Sequence, residues 1–175
     1  MNATTWADRS NAGAERVSFA AAAEAHLDDV YAYLLYLTGD STVAEDLTGE
    51  TFERALRRWR RYDPRRGSAK TWLCQVARST ALDNLRSERR RRRREEAFAP
   101  PERQEQTFVS GLSPELEQAV LELSAAEREV IALRVILDLD GESAARLLGI
   151  SQTACSTRLS RALKRLEEMV SDVER

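Results

Sequence analysis

One stretch near the carboxyl end decides the fold, Asp140-Gly-Glu-Ser-Ala-Ala-Arg-Leu-Leu-Gly-Ile-Ser-Gln-Thr-Ala-Cys155. It predicts two helices joined by a tight turn, because Gly149 permits a left-handed backbone and Ser151 is a good N-cap for the helix that follows. The small side chains of Ala144 and Ala145 let the two helices pack closely. This spacing is typical of a helix-turn-helix, and it favours an all-α domain.

The helix that follows the turn has two chemically different faces. Its apolar residues recur at helical spacing and predict a buried stripe made of Cys155, Leu159, Ala162, Leu163, Leu166 and Val170. The opposite face carries hydroxyls and cations, namely Thr153, Ser156, Thr157, Ser160, Arg161 and Lys164. Such groups on one helix face can contact base edges and phosphates in the major groove of DNA. The pattern therefore predicts binding to duplex DNA, and a face that contacts only solvent is the alternative.

The amino-terminal half predicts a separate unit of three helices. The first helix has the apolar stripe Leu27, Val30, Tyr31, Leu34 and Leu35 and is ended by Gly39. A second helix spans about residues 42–62 and stops before Pro64. Ser68 is placed to cap a third helix.

Changes in composition divide the chain into four segments. Residues 1–18 have no periodicity and predict a mobile tail, and residues 19–94 hold the three helices. Residues 95–114 are acidic, carry proline and glycine, and predict a flexible linker. Residues 115–175 hold the helix-turn-helix, with helices expected at about 115–123, 125–137, 141–148 and 152–171. The expected fold is all-α, with two small helical domains that each bury a modest core and are joined by an extended linker.

Charge is strongly polarised along the chain although the net charge is only -2. Residues 54–94 hold 16 of the 27 Lys and Arg residues but only three of the 29 acids. Such a basic segment indicates a polyanionic partner. Trp59, Tyr62 and Trp72 lie among these cations, and flat rings with cations are typical of sites for single-stranded nucleic acid. Core packing of the two tryptophans is the alternative.

Several classes of protein are disfavoured by what the sequence lacks. Cys74 and Cys155 are far apart and His26 is the single histidine, so we expect neither a disulfide framework nor a metal site, and no cofactor. No acid-base constellation suggests a catalytic residue, so an enzyme is not expected. The apolar runs are too short to span a bilayer, and we expect a cytoplasmic protein that does not enter a membrane. A redox role for either cysteine stays open.

A set of motifs in order along both halves resembles one protein family. In the first half the motifs are Leu37-Thr-Gly-Asp, Ala44-Glu-Asp-Leu-Thr-Gly-Glu-Thr-Phe, Tyr62-Asp-Pro-Arg-Arg-Gly-Ser, Trp72-Leu and Ala77-Arg-Ser-Thr-Ala-Leu-Asp-Asn-Leu-Arg. In the second they are Leu123-Ser-Ala-Ala-Glu-Arg-Glu-Val, Leu133-Arg, Leu148-Gly-Ile-Ser and Ser156-Thr-Arg-Leu-Ser-Arg-Ala. Over nearly all of residues 19–171 the chain resembles the extracytoplasmic-function group of bacterial sigma factors. Gly49 stands where that family usually has a glutamine.

The resemblance implies three sets of site residues. The clamp acids, Asp46, Glu50 and Glu53, would dock on the clamp helices of the largest RNA polymerase subunit. The minus-ten set would melt that promoter element and hold a base of the non-template strand, and it comprises Tyr62, Arg65, Arg66, Lys70, Trp72, Arg78, Ser79 and Asp83. The minus-thirty-five set would contact the duplex, and it comprises Thr153, Ser156, Thr157, Ser160, Arg161 and Lys164.

The resemblance also implies partners. These are the polymerase core, including the flap of its second largest subunit, promoter DNA in single- and double-stranded form, and an anti-sigma factor. The implied function is promoter-specific transcription initiation. A free-standing helix-turn-helix regulator is the alternative, but it would normally need a dimerisation element, and none is evident in the sequence.

Overall fold

The structure, a computed structural model, describes residues 17–95 and 112–173. Most of the predicted tail and linker therefore lies outside the described residues. In the described ranges the chain forms α1 (Phe19–Thr38), α2 (Ser41–Arg58), α3 (Ala69–Glu95), α4 (Pro114–Glu122), α5 (Ala125–Ile131), α6 (Gly141–Leu148) and α7 (Gln152–Val173). A 3-10 turn, Trp59–Arg61, extends α2, and a π-helical turn, Ala132–Ile136, extends α5. We call α1–α3 the first domain and α4–α7 the second domain.

Local capping residues set the ends of the first-domain helices. The Ser18 hydroxyl accepts a hydrogen bond from the Ala21 N–H, so α1 begins at Phe19, well before the stripe that predicted it. Leu27, the first member of that predicted stripe, is 49% exposed. Gly39 adopts a left-handed φ of 72° and ends α1, and the Asp40 carboxylate then caps α2. α3 runs on through the arginine run to Glu95.

The second domain keeps the predicted helices with one irregular segment. Ser124 and Glu127 form a reciprocal capping box at the start of α5. The helix predicted over 125–137 is wound as a π-helical turn in its last part, and Asp138 follows with a left-handed φ of 50°. Gly149 has a φ of 69° between α6 and α7, as the helix-turn-helix pattern requires. The prediction of an all-α fold with a helix-turn-helix is confirmed.

The two domains share one hydrophobic core instead of burying separate ones. α1 packs against α2 and α3 within the first domain, and also against α5 and the π-helical turn of the second. α3 contacts α6 as well. The last turns of α1 are consequently buried on nearly every side, from Tyr33 to Leu37. α1 therefore lies between the two domains, and the modest cores expected for them are continuous across it.

The buried stripe of α7 is narrower than its sequence periodicity predicted. Cys155, Ala162 and Leu166 are buried, and Leu159 and Val170 pack against the core. Leu163, however, is 43% exposed, because the short helices α4 to α6 cover only one side of this 22-residue helix.

Candidate nucleic-acid and polymerase interfaces

The clamp acids lie along one side of α2, and two of them are already paired. Asp46 is exposed. Glu50 forms an ion pair with Arg54, one turn further along the helix, and Glu53 forms one with Arg57. The Glu53–Arg57 pair is exposed and such i,i+4 pairs contribute only about 0.3–0.5 kcal/mol, whereas Arg54 is less exposed and also pairs with Asp83. The clamp acids therefore form an acidic row on α2 that is partly neutralised by arginines of the same helix.

Aromatic rings cluster where the end of α2 meets the start of α3. The Trp59 and Tyr62 rings stack with centroids 4.7 Å apart, and Trp72 meets Trp59 edge-on at 5.4 Å. Phe19 of α1 meets Trp59 from the other side at 5.6 Å. Tyr62 is buried, with 4% of its surface exposed, whereas Trp59 and Trp72 are only half-buried. Each tryptophan thus combines a packing role with an accessible part of its ring.

Three cations of the minus-ten set, Arg65, Arg66 and Lys70, lie between Tyr62 and Trp72 in the chain. Arg65 is exposed and donates from Nε and Nη2 to the two carboxylate oxygens of Asp63, each at 3.1 Å. That guanidinium lowers the pKa of Asp63. Lys70 lies nearer the core, and its Nζ is 3.1 Å from an oxygen of Asp29 on α1. Arg66 is exposed in the loop.

The remaining members of the minus-ten set project from α3 in different directions. Ser79 is exposed. Asp83 accepts a hydrogen bond from Arg54 of α2 at 2.9 Å, and this bond lowers the pKa of Asp83. Arg78 points toward the second domain, where its Nε donates to Glu129 of α5 at 2.8 Å. The structure therefore brings Tyr62, Arg65, Arg66 and Trp72 into one region, and it holds Arg78 apart from them in an interdomain contact.

All members of the minus-thirty-five set share the exposed face of α7: Thr153, Ser156, Thr157, Ser160, Arg161 and Lys164. Ser151 caps this helix by accepting the Ala154 N–H at 3.1 Å, which orients its first turn. Several of these residues border an open groove between the start of α7 and the start of α5. Arg158 also lines that groove, although it does not belong to the predicted minus-thirty-five set. The signal was available, since position 158 lies one helical turn before Arg161 on the same side.

The two cysteines are free thiols in the interior. Burial raises the pKa of Cys74 to about 12 and also raises that of Cys155. A thiolate is the reactive form, so both groups are poor redox sensors while they stay buried. Within residues 17–95 and 112–173 no group of His, Cys, Asp and Glu side chains could hold a metal ion, and no helix there is long and apolar enough to cross a membrane.

Family models and known relatives agree with this architecture. The model described as Sigma-70 region 2 matches residues 22–91, and the model described as Sigma-70, region 4 matches residues 113–166. ECF RNA polymerase sigma factor SigL of Mycobacterium tuberculosis is 32% identical over 164 residues, which cover 86% of this chain and 93% of that relative. BldN of Streptomyces coelicolor is 31% identical over 94% of this chain, but the alignment spans 64% of BldN.

A solved structure supports the fold. The sigma factor RpoE from Bartonella quintana, in complex with the anti-sigma factor NepR, matches with a TM-score of 0.75 and 23% identity. The match covers 85% of this chain and 94% of that one. With a region 2 domain, a region 4 domain and relatives at this level of identity, the chain belongs to the extracytoplasmic-function RNA polymerase sigma factors.

Proposed function

We propose that three surfaces of this sigma factor divide the work of promoter-specific initiation. The exposed face of α7 contacts the minus-thirty-five duplex, the aromatic and basic region before α3 opens the minus-ten element, and α2 docks on the polymerase clamp. The observation that carries the proposal is the continuous polar face of α7, six exposed hydroxyl and cationic side chains on a helix capped at its first turn. Like other members of the family, the chain would perform no catalysis itself.

The minus-ten region has the chemistry that strand opening needs. Trp72 is half-buried, so an unpaired base can stack on its accessible part while the rest of the ring stays packed on Trp59. Arg65 and Arg66 lie in the loop just before α3, are exposed, and can contact phosphates. Tyr62 is buried, and its rigid stacking on Trp59 supports the platform.

The proposed partners follow from the charges of these surfaces. The acids of α2 suit a basic surface on the clamp helices of the largest subunit, and the second domain would dock on the flap of the second largest. The RpoE fold neighbour was solved with an anti-sigma factor, and we propose that an anti-sigma factor also binds this chain.

Run-off transcription on genomic fragments tests the function directly. Purified polymerase core is assayed with and without the full chain, and we expect discrete transcripts only when both are present. A free-standing regulator would instead bind duplex DNA without core and would not direct core to start transcripts. Absence of chain-dependent start sites would contradict the proposal.

Two substitutions on α7 separate base contact from phosphate contact. Thr157→Ala should change the preference among minus-thirty-five variants, since a lost base contact costs about 1–3 kcal/mol at one position. Lys164→Ala should weaken all variants nearly equally and reduce the slope of log affinity against log salt by about one. Both side chains are exposed, so neither change should disturb folding. A randomised minus-thirty-five library transcribed at two salt concentrations measures both effects, and unchanged base preference for Thr157→Ala would refute its role.

A further inference from the structure

A buried carboxylate joins the two domains. Glu129 lies on α5 of the second domain, and only 7% of its surface is exposed. One of its oxygens, Oε1, accepts a hydrogen bond from the Tyr33 hydroxyl of α1 at 2.8 Å and another from Nε of Arg78 on α3 at 2.8 Å. The residues that it joins are 96 and 51 positions away in the chain. Glu129 therefore links the second domain to two helices of the first.

The groups around Glu129 favour its hydrogen bonds to Tyr33 and Arg78. Tyr33 is completely buried, and desolvation followed by the charge of Glu129 raises its pKa, which keeps its hydroxyl protonated as the donor. A buried carboxylate is costly without a cation and hydrogen-bond donors, and Arg78 and Tyr33 supply both. A second polar contact crosses nearby, where Nε of Arg128 donates to the Tyr36 carbonyl at 3.0 Å.

In the closed arrangement, the one described here, the two domains are in contact. This arrangement cannot reach both promoter elements at once. Elements centred near minus ten and minus thirty-five are about 25 base pairs apart, which is roughly 85 Å at about 3.4 Å per base pair. A 100-residue domain has a radius of gyration of about 13 Å, so two smaller domains in contact have centres only roughly 25–30 Å apart. The domains must therefore separate before the chain can bind a promoter through both surfaces.

We infer that Glu129 is an intramolecular latch, which together with the shared apolar core holds the domains closed in the free chain and masks the charge of Arg78, whose side chain is 27% exposed, from minus-ten DNA until they separate. This inference rests on the proposed function in assigning Arg78 to DNA and in using the promoter spacing to require that the domains separate. Opening frees the Arg78 guanidinium for the non-template strand and exposes the faces of α1 and α3 that α5 and α6 cover.

The first experiment measures the closed state in the free full-length chain, without polymerase or promoter. Spin labels are attached at Ser87→Cys on α3 and Ser171→Cys on α7, both exposed positions, while the native cysteines are buried. Glu129→Gln keeps the side-chain shape but replaces a charged hydrogen bond with a neutral one. We expect the ratio of closed to open chains to fall about five- to tenfold, seen as a population at longer distance.

The same variants are then tested for binding to single-stranded DNA, with fluorescently labelled dT20 as the probe. Glu129→Gln should bind dT20 several-fold more tightly than wild type, because Arg78 is released. The gain should vanish in Glu129→Gln combined with Arg78→Gln, since it acts through that guanidinium. Glu122→Gln, which removes an equal charge from an exposed site on α4, should change neither distance nor affinity.

The outcomes test the latch and the masking of Arg78 separately. Unchanged distances in both Glu129→Gln and Tyr33→Phe would overturn the latch, and Tyr33→Phe keeps that test decisive if the glutamine variant folds poorly by circular dichroism. Longer distances with unchanged dT20 affinity would overturn the masking of Arg78. Failure of the proposed function would appear separately, as the absence of chain-dependent transcripts in the run-off assay.

Discussion

Replacing Gly49 by alanine should stabilise the chain, although this glycine lies on the docking helix. Gly49 is in the interior of α2, is exposed, and has no atom within 4 Å of the position that a Cβ would occupy. Glycine costs about 1 kcal/mol relative to alanine in a helix interior. For a protein of this size, 1 kcal/mol corresponds to a rise in Tm of about 2–4 °C.

The matched control is Gly149→Ala in the turn between α6 and α7. Gly149 also has open space around a Cβ, but its φ is 69°, where alanine is strained by about 1–2 kcal/mol. Thermal and urea unfolding followed by circular dichroism should therefore shift in opposite directions for the two variants. Core binding by Gly49→Ala should stay unchanged, because the clamp acids are retained. A Gly49→Ala variant no more stable than wild type would refute the assignment of this position to a regular, unstrained helix.

Three further perturbations test the remaining assignments. Trp72→Ala should reduce permanganate reactivity of bubble thymines while core binding persists, since base stacking is worth about 1–3 kcal/mol per base; unchanged reactivity would leave Trp72 a packing residue. Asp46→Lys with Glu50→Lys should slow association with polymerase core in a salt-dependent way, and equal binding would show that the docking surface lies elsewhere. Capping hydrogen bonds lower the pKa of Glu127 below its ordinary 4.5, so its contribution to stability is present above that pH and is lost as the pH falls below it. Glu127→Gln should reduce the loss of unfolding free energy at acid pH, measured by urea unfolding at several pH values. The same pH dependence in wild type and variant would refute this contribution.

Local periodicity was sufficient to predict which residues lie on the exposed face of α7. Which residues of a helix point the same way depends only on 3.6 residues per turn, so the outward positions followed from spacing alone. The width of the buried stripe did not follow from spacing, because it depends on how many neighbouring helices cover α7. Leu163 was misplaced for that reason, since apolar character shows that a side chain can be buried and not that a partner is present.

The contact between the two domains could not be predicted from the sequence. Tyr33 and Glu129 are separated by 96 positions, and nothing local pairs a given tyrosine with a given carboxylate. One signal was present in the last turns of α1. Tyr33, Leu34, Leu35, Tyr36 and Leu37 place apolar or aromatic groups on every side of the helix, and a helix that is apolar all round is buried on all sides. Three helices cannot surround it in that way, so a second domain against α1 could have been expected.

The polar contact at Glu129 is easier to break than the apolar core that the two domains also share. An apolar seam of the same area gains its stability from excluding water, and its separation exposes that surface to water with no compensating gain. When Glu129 leaves Tyr33 and Arg78, all three groups regain hydration, which offsets much of the hydrogen bonding that is lost. Replacing a buried ion pair by well-packed apolar groups is often neutral or stabilising, so the carboxylate is a poor choice for a permanent interface. It defines one closed arrangement through two directed hydrogen bonds, whereas opening must also expose the apolar core that the domains share around the last turns of α1.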